Sequence, residues 1–312
     1  MPQFANLPFV SANAGIRTNF GVILPPGGRV AAYVRSGGTQ SLDDGAINSR
    51  VVSTLAAGLA ECRSGMGDYV IVLPGHSESG VGTTMLSGLV PGTRIIGVGE
   101  GSSKPTFRWT ATTDQWAVAA ADCVFAGLKL RLEGANGVVK AILVTAANVA
   151  FLDNEVQVAS GAALKATIAL EVGAGADAFE LAGGYWYGTA THNVTDGVKV
   201  VSAVDRLNIH DIDMDFSATA GNGNIHLTAA ATKVRISRAR LQNDHTASTA
   251  CVACDAVAAT GFISDCRFST INNGTASAQG FVGGAGCLIR LFETYSTDEP
   301  IKNGLLGPVA AT

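Results

Sequence analysis

Six times between residues 123 and 266 the chain repeats one pattern: an apolar-x-apolar pair, a short polar or glycine break, then a second alternating strand. The pairs are Cys123/Phe125, Val149/Phe151, Phe179/Leu181, Leu207/Ile209, Val234/Ile236 and Gly261/Ile263, and their first members lie 26, 30, 28, 27 and 27 residues apart. The residue that opens the second strand repeats in step, because Leu128, Asn154, Gly184, Ile212, Ala239 and Cys266 show the same five spacings. A unit of this size made of short strands cannot bury its own apolar face, so it must stack on copies of itself, and the chain is a solenoid.

Each unit carries a third strand ahead of the anchor pair: Trp116 to Ala119, Ala141 to Val144, Ile168 to Val172, Val198 to Val201, Ile225 to Leu227 and Cys251 to Ala253. Small-residue corners such as Ala119-Ala120-Ala121-Asp122 and Thr145-Ala146-Ala147-Asn148 separate it from the pair. Three strands per turn at a constant period describe an all-β, single-stranded parallel β-helix, each strand bonding to its equivalents above and below. The bias of parallel crossovers makes it right-handed. The β-helix is expected over residues 67–292, starting at Asp68-Tyr-Val-Ile-Val-Leu-Pro74.

Ahead of it, Ser41 as N-cap, Asp43 and Asp44 in a first turn, and Ile47, Val51, Val52, Leu55 and Leu59 at helical spacing predict one capping α-helix within residues 41–66, a lid over the open end of the stack. Residues 1–40, rich in Gly, Asn and Pro, are expected to form an extended arm, with one strand at Arg29 to Val34, that docks on another chain. Residues 293–312 form a tail with Pro300 and Pro308 that caps the far end or lies against a neighbour.

Composition narrows the function classes. Hydrophobic residues make up 47% of the 312, charged residues 15% and aromatic residues 6%. A free-standing soluble surface carries about 25% charge, so these flanks suit a protein covered by copies of itself, in a homotrimer. A net charge of -4 without a basic stripe argues against nucleic acid. No run of 18 apolar residues points to a membrane span, and the start Met-Pro-Gln-Phe-Ala-Asn lacks a secretory pattern, so use without export is expected.

The sharpest polar cluster is His210-Asp-Ile-Asp-Met-Asp215. Alternation sends Ile212, Met214 and Phe216 inward and sets Asp213 and Asp215 on one outer face about 7 Å apart, with Asp211 at the corner. Such paired carboxylates are what calcium-dependent lyases and glycosidases use. Arg238 and Arg240 on the rung below favour ion pairing instead. Neither a catalytic group, a metal nor a cofactor is expected. Tyr185 and Tyr187 flank an inward Trp186 and form a candidate subunit interface, with glycan stacking as the alternative. The five histidines lack ligand spacing, and Pro74-Gly75-His76-Ser77-Glu78-Ser79-Gly80 reads as a polar turn. Cys251-Val-Ala-Cys254 has a CxxC form without a second pair, so it reads as strand and corner packing, with an inter-subunit disulfide as the alternative.

The stretch Gly67-Asp-Tyr-Val-Ile-Val-Leu-Pro-Gly-His76, then Thr93-Arg-Ile-Ile-Gly-Val-Gly-Glu-Gly-Ser-Ser-Lys-Pro-Thr-Phe107, resembles the opening of pectate-lyase-like β-helix proteins found in tailed-bacteriophage virions. The later Ala-Ala-Asp/Asn-Val-x-Phe-x-Asn/Gly-Leu phrasing is similar too, and the resemblance covers about residues 41–292. It implies a virion protein assembled in the host cytoplasm. The shortness of the chain and its poverty in acids and aromatics favour a capsid decoration protein on the phage head, held to the major capsid protein through residues 1–40. A glycan-binding or glycan-cleaving tailspike is the alternative.

Overall fold

The computed structural model describes residues 16–17, 23–24, 29–37, 51–80, 84–133, 138–158, 166–188, 194–216, 223–243, 250–255, 258–269, 279–296 and 304–305. Their architecture is a parallel β-helix of about seven turns walled by three sheets of 11, 10 and 7 strands. Sheet I runs from Leu288–Phe292 through Thr260–Ser264, Val234–Ser237, Asn208–His210, Glu180–Ala182, Ala150–Leu152, Val124–Ala126, Arg94–Gly97 and Tyr69–Val72 to Val30–Val34, with Val51–Val52 at its edge. Sheet II holds the second strand of each unit, from Ser77–Ser79 to Tyr295–Ser296, and sheet III the third, from Trp116–Val118 to Gln279–Gly283. Gly304–Leu305 closes sheet II antiparallel to Tyr295–Ser296, and Ile16–Arg17 pairs antiparallel with Ile23–Leu24.

The expected register holds. Phe125, Phe151, Leu181, Ile209, Ile236, Ile263 and Leu291 are in-register partners down sheet I. Val149, Phe151, Leu207, Ile209, Val234 and Ile236 are all buried. The core is one continuous column of such residues, and its densest part is aromatic: Phe125 and Phe151 stack with centroids 4.7 Å apart and planes 7° from parallel, and Trp116 meets Phe125 at 5.6 Å.

Two lines of left-handed backbone mark the corners. Asp122, Asn148, Ala178, Arg206 and Lys233 have φ between 51° and 61° ahead of the sheet I strands. Asp153, Asp211, Arg238 and Asp265 have φ between 49° and 54° behind them. Each such residue in the second line donates its N–H to the rung below, as Asp153 does to Ala182 O and Asp211 to Ser237 O, so the corners form hydrogen-bonded ladders of their own. Asp and Asn suit that conformation.

The N-terminal boundaries fall differently from expectation. Val30–Val34 pairs with Tyr69–Val72 and is buried throughout, so the solenoid begins there and this part of the arm joins the β-helix rather than another chain. Val51 and Val52 are a strand bonded to Tyr33 and Val34, because a free strand edge suits β-branched residues better than a helix does. The helix is only Leu55–Leu59, with Thr54 Oγ1 accepting from Ala57 N at 3.2 Å. Ser41, Asp43, Asp44, Ile47, most of residues 1–28 and most of the tail lie outside the described residues. The helix does cover the end of the stack: Leu55 and Leu59 are fully buried, and it comes so close that a Cβ on Gly58 would sit 2.9 Å from Val34 Cγ2.

Asp68 ties this end together. Buried completely, it accepts from Arg63 N at 2.9 Å, Arg63 Nε at 3.0 Å, Arg63 Nη2 at 2.7 Å and Arg29 Nε at 3.3 Å. Hydrogen bonding from Arg63 holds its carboxyl down at about 2 against the cost of burial.

Candidate functional site on the outer face of the second sheet

Alternation along sheet II puts Leu130, Val156, Trp186, Met214, Leu241 and Phe268 inside and leaves two outward columns. One reads Lys129, Glu155, Tyr185, Asp213, Arg240, Arg267, and the other Arg131, Gln157, Tyr187, Asp215, Gln242, Ser269. The structure therefore brings Tyr185 and Tyr187 together with Asp213 and Asp215, tyrosine directly above aspartate in both columns. The two tyrosine rings stack on each other at 4.7 Å and 15°, and Tyr185, 40% exposed, presents its outer surface to solvent.

The charges on this face neutralise one another from rung to rung. Lys129 Nζ donates to Glu155 Oε1 at 2.6 Å, and Tyr187 Oη donates to the same oxygen at 3.3 Å. Arg240 Nη1 lies 3.4 Å from Asp213 Oδ2, the cross-rung pair expected from the register. Burial pushes the Asp213 carboxyl up, and the arginine only partly offsets this. Burial and the neighbouring Glu155 push the Tyr187 phenol up to about 12, so both tyrosines stay neutral donors at ordinary pH.

Asp211 stands apart from this pair. It occupies the left-handed corner and is gripped by Arg238, whose Nε and Nη2 each donate at 2.6 Å, while His210 Nδ1 lies 2.7 Å from the oxygen that Nη2 also meets. Arg238 foremost holds its carboxyl at about 2. His210 in turn reaches Glu180 at 2.9 Å, so the acidic run divides between two faces of the solenoid. Among the described residues no three His, Cys, Asp or Glu side chains form a cluster able to hold a metal ion.

The polar turn after the first strand has a structural task that sequence spacing does not reveal. His76 is buried against Phe107 at 5.4 Å, and its ring bonds Ser36 Oγ at 3.1 Å and Glu78 at 3.2 Å. Glu78 then accepts from Leu55 N at 2.8 Å and so caps the short helix. On sheet III a second buried group appears: His226 bridges Asp196 at 2.8 Å and Asp255 at 2.7 Å, with Lys199 Nζ 3.4 Å from Asp196.

A further finding is that the outward side of sheet I is apolar over its first rungs. Tyr33, Ile71, Ile96, Ala126 and Leu152 are register partners, all buried, and with Tyr69, Val124 and Ala150 they form a cluster separate from the core. The signal was present in Tyr69-Val-Ile-Val72, apolar at every position, which marks a strand buried on both faces. Farther along, the same column turns polar at His210, Ser237 and Ser264.

Comparison with protein-family models, curated proteins and solved structures gave no match. No helix among the described residues is long and apolar enough to cross a membrane.

Proposed function

We propose that this chain is a structural protein of a phage virion, a β-helical decoration of the head that assembles as a homotrimer and attaches to the capsid through the residues preceding Val30. The observation that carries the structural part is the commitment of the outer carboxylates to their neighbours: Glu155 to Lys129 and Tyr187, Asp213 to Arg240, and Asp211 to Arg238. A glycosidase needs one carboxyl free to protonate the leaving group and a second poised as nucleophile or base. Here the carboxylates serve as rungs of an ion-pair ladder that stiffens the stack. The virion and its head surface are drawn from the resemblance of residues 67–107 and from the low charge content, which favours covered flanks.

The stacked Tyr185 and Tyr187 are the proposed subunit contact. One observation favours the second reading, a glycan-binding tailspike: the exposed outer surface of Tyr185 offers a flat apolar platform beside two carboxylates. Native mass spectrometry separates the two. A trimer that dissociates when Tyr185 and Tyr187 are replaced by serine supports the assembly. A monomer throughout the micromolar range, or release of reducing ends from host polysaccharide, refutes it.

A further inference from the structure

Cys254 ends the sheet III strand Ala250–Cys254 and pairs in register with Gly283 of Gln279–Gly283, one rung below. The chain then folds back on itself. Gly284 N donates to Cys254 O at 2.6 Å, and Cys287 N donates to Gly284 O at 3.1 Å. This turn carries Cys287 over the strand end, so that a Cβ on Gly283 would lie 3.6 Å from the Cys287 Cβ. Cys254, the register partner of Gly283, and Cys287, which packs against the Gly283 position, therefore meet at the same edge of the core. Cys254 is fully buried in the core column, whereas Cys287 packs on its rim and is partly exposed.

We propose that Cys254 and Cys287 form a redox-modification site, an accessible attacking thiol backed by a buried resolving thiol, which closes to a disulfide by exchange with a small-molecule disulfide. In the first step the Cys287 thiolate attacks the external disulfide: a sulfur–sulfur bond forms at Cys287, the external one breaks, and one small thiolate leaves. In the second, Cys254 gives up its proton and attacks Cys287 Sγ. The mixed disulfide breaks and the second small thiolate leaves. The protein loses two electrons and two protons, and the reagent is reduced to two thiols.

Other cysteines of the chain show why reaction concentrates here. The adjacent Cys254 thiol draws the Cys287 thiol down despite burial, whereas burial pushes Cys62, Cys123 and Cys266 up to about 11. The thiolate is the nucleophile, and the lowered Cys287 thiol favours it there over the raised thiols elsewhere. The bond would join two successive rungs at the end of the stack where Leu288 and Phe292 are exposed.

The test treats the full chain with oxidised glutathione near neutral pH and reads the intact mass, then maps non-reduced peptides by fragmentation. The expected wild-type product has lost two hydrogens and links Cys254 to Cys287. The Cys254→Ser variant, lacking the resolving thiol, keeps one glutathione on Cys287, and Cys287→Ser takes up none under the same conditions. A wild-type chain that retains free thiols at both positions, that keeps an unresolved glutathione on Cys287, or that links Cys287 to Cys251 or Cys266 overturns the proposal. The wild-type measurement decides even where a variant fails to fold.

Discussion

Replacing Asp68 by asparagine preserves shape and removes one charge, and the structure sets the size of the effect. A hydrogen bond to a charged group contributes about 1.5–3 kcal/mol, and breaking a fully buried ion pair costs about 3–5 kcal/mol because a charge is stranded. Here the stranded charges would be Arg29 and Arg63, whose side chains are 42% and 45% exposed and keep much of their water. The cost should therefore lie below the buried-pair range, at about 2–3 kcal/mol. Folding holds this carboxyl at about 2, against about 3.9 in an unfolded chain. Its contribution is thus complete above the unfolded value and disappears as pH falls toward the folded one. Urea denaturation followed by circular dichroism should show the full loss in Asp68→Asn at neutral pH, and the two proteins should converge in acid. In a solenoid the damage stays local, so hydrogen exchange should speed up in Val30–Val34 and Leu55–Leu59 while Gly223–Leu227 keeps its protection. A neutral-pH difference under about 0.5 kcal/mol, or protection lost evenly along the stack, would refute the view of Asp68 as the clasp of the N-terminal end.

Phe151→Ala removes a fully buried ring that stacks on Phe125 and lies 6.2 Å from Phe179, so unfolding free energy should drop by about 3–5 kcal/mol in the same denaturation assay; less than about 1 would mean that the aromatic column is not the core. Thermal melts with and without calcium should coincide, because Asp211 and Asp213 already face arginines, and a clear rise in midpoint with calcium would contradict this. At His226 burial alone would lower the pKa, but the hydrogen bonds its ring donates to Asp196 and Asp255 outweigh it and raise the value. The stability this adds is full below the unfolded histidine value of about 6.5 and fades as pH rises through the folded one, so the urea midpoint should decline on the alkaline side in the wild type and not in His226→Gln; equal profiles would rule the bridge out.

The sequence made the stack legible because every inward position of every rung must be apolar, and that demand recurs with each unit. Phe151, Ile209 and Ile236 could be placed in one column without coordinates for this reason, and Trp186 could be turned inward between two outward tyrosines. The pairing of Asp213 with Arg240 was readable as well, since register fixes which residues face each other across rungs. What occurs once carries no such repetition. Val51 and Val52 satisfy a helical spacing as well as they do a two-residue edge strand, and only the free edge of Val30–Val34 decides between them. His76 and Glu78 were readable as a turn, but their partners Ser36 and Leu55 lie far back in the chain, so their capping role had no local signature. Cys254 and Cys287 occupy different columns of the stack, Cys254 paired with Gly283 and Cys287 immediately ahead of Leu288, so no spacing of the repeat marks them as neighbours.

Interior rungs are bonded above and below, whereas a terminal rung has a neighbour on one side only, so each end of a solenoid needs a device that the repeat does not supply. At the N-terminal end that device is composite: a five-residue helix closes the core, Gly58 lets it approach, Glu78 caps it, and Asp68 anchors its exit to the first strand. At the other end the last sheet I strand leaves Leu288 60% and Phe292 51% exposed, with Phe292 edge-on to Phe262 and Arg235 over that ring. A helix this short would gain little against such a surface, because each apolar contact it covered would be offset by the ordering of new residues. A covalent bond between the last two rungs adds order without needing new surface to bury, and the proposed Cys254–Cys287 disulfide sits where such a bond would act. The N-terminal end is thus held by ionic and helical contacts, and oxidation of the free Cys254 and Cys287 would give the other end a covalent tie instead.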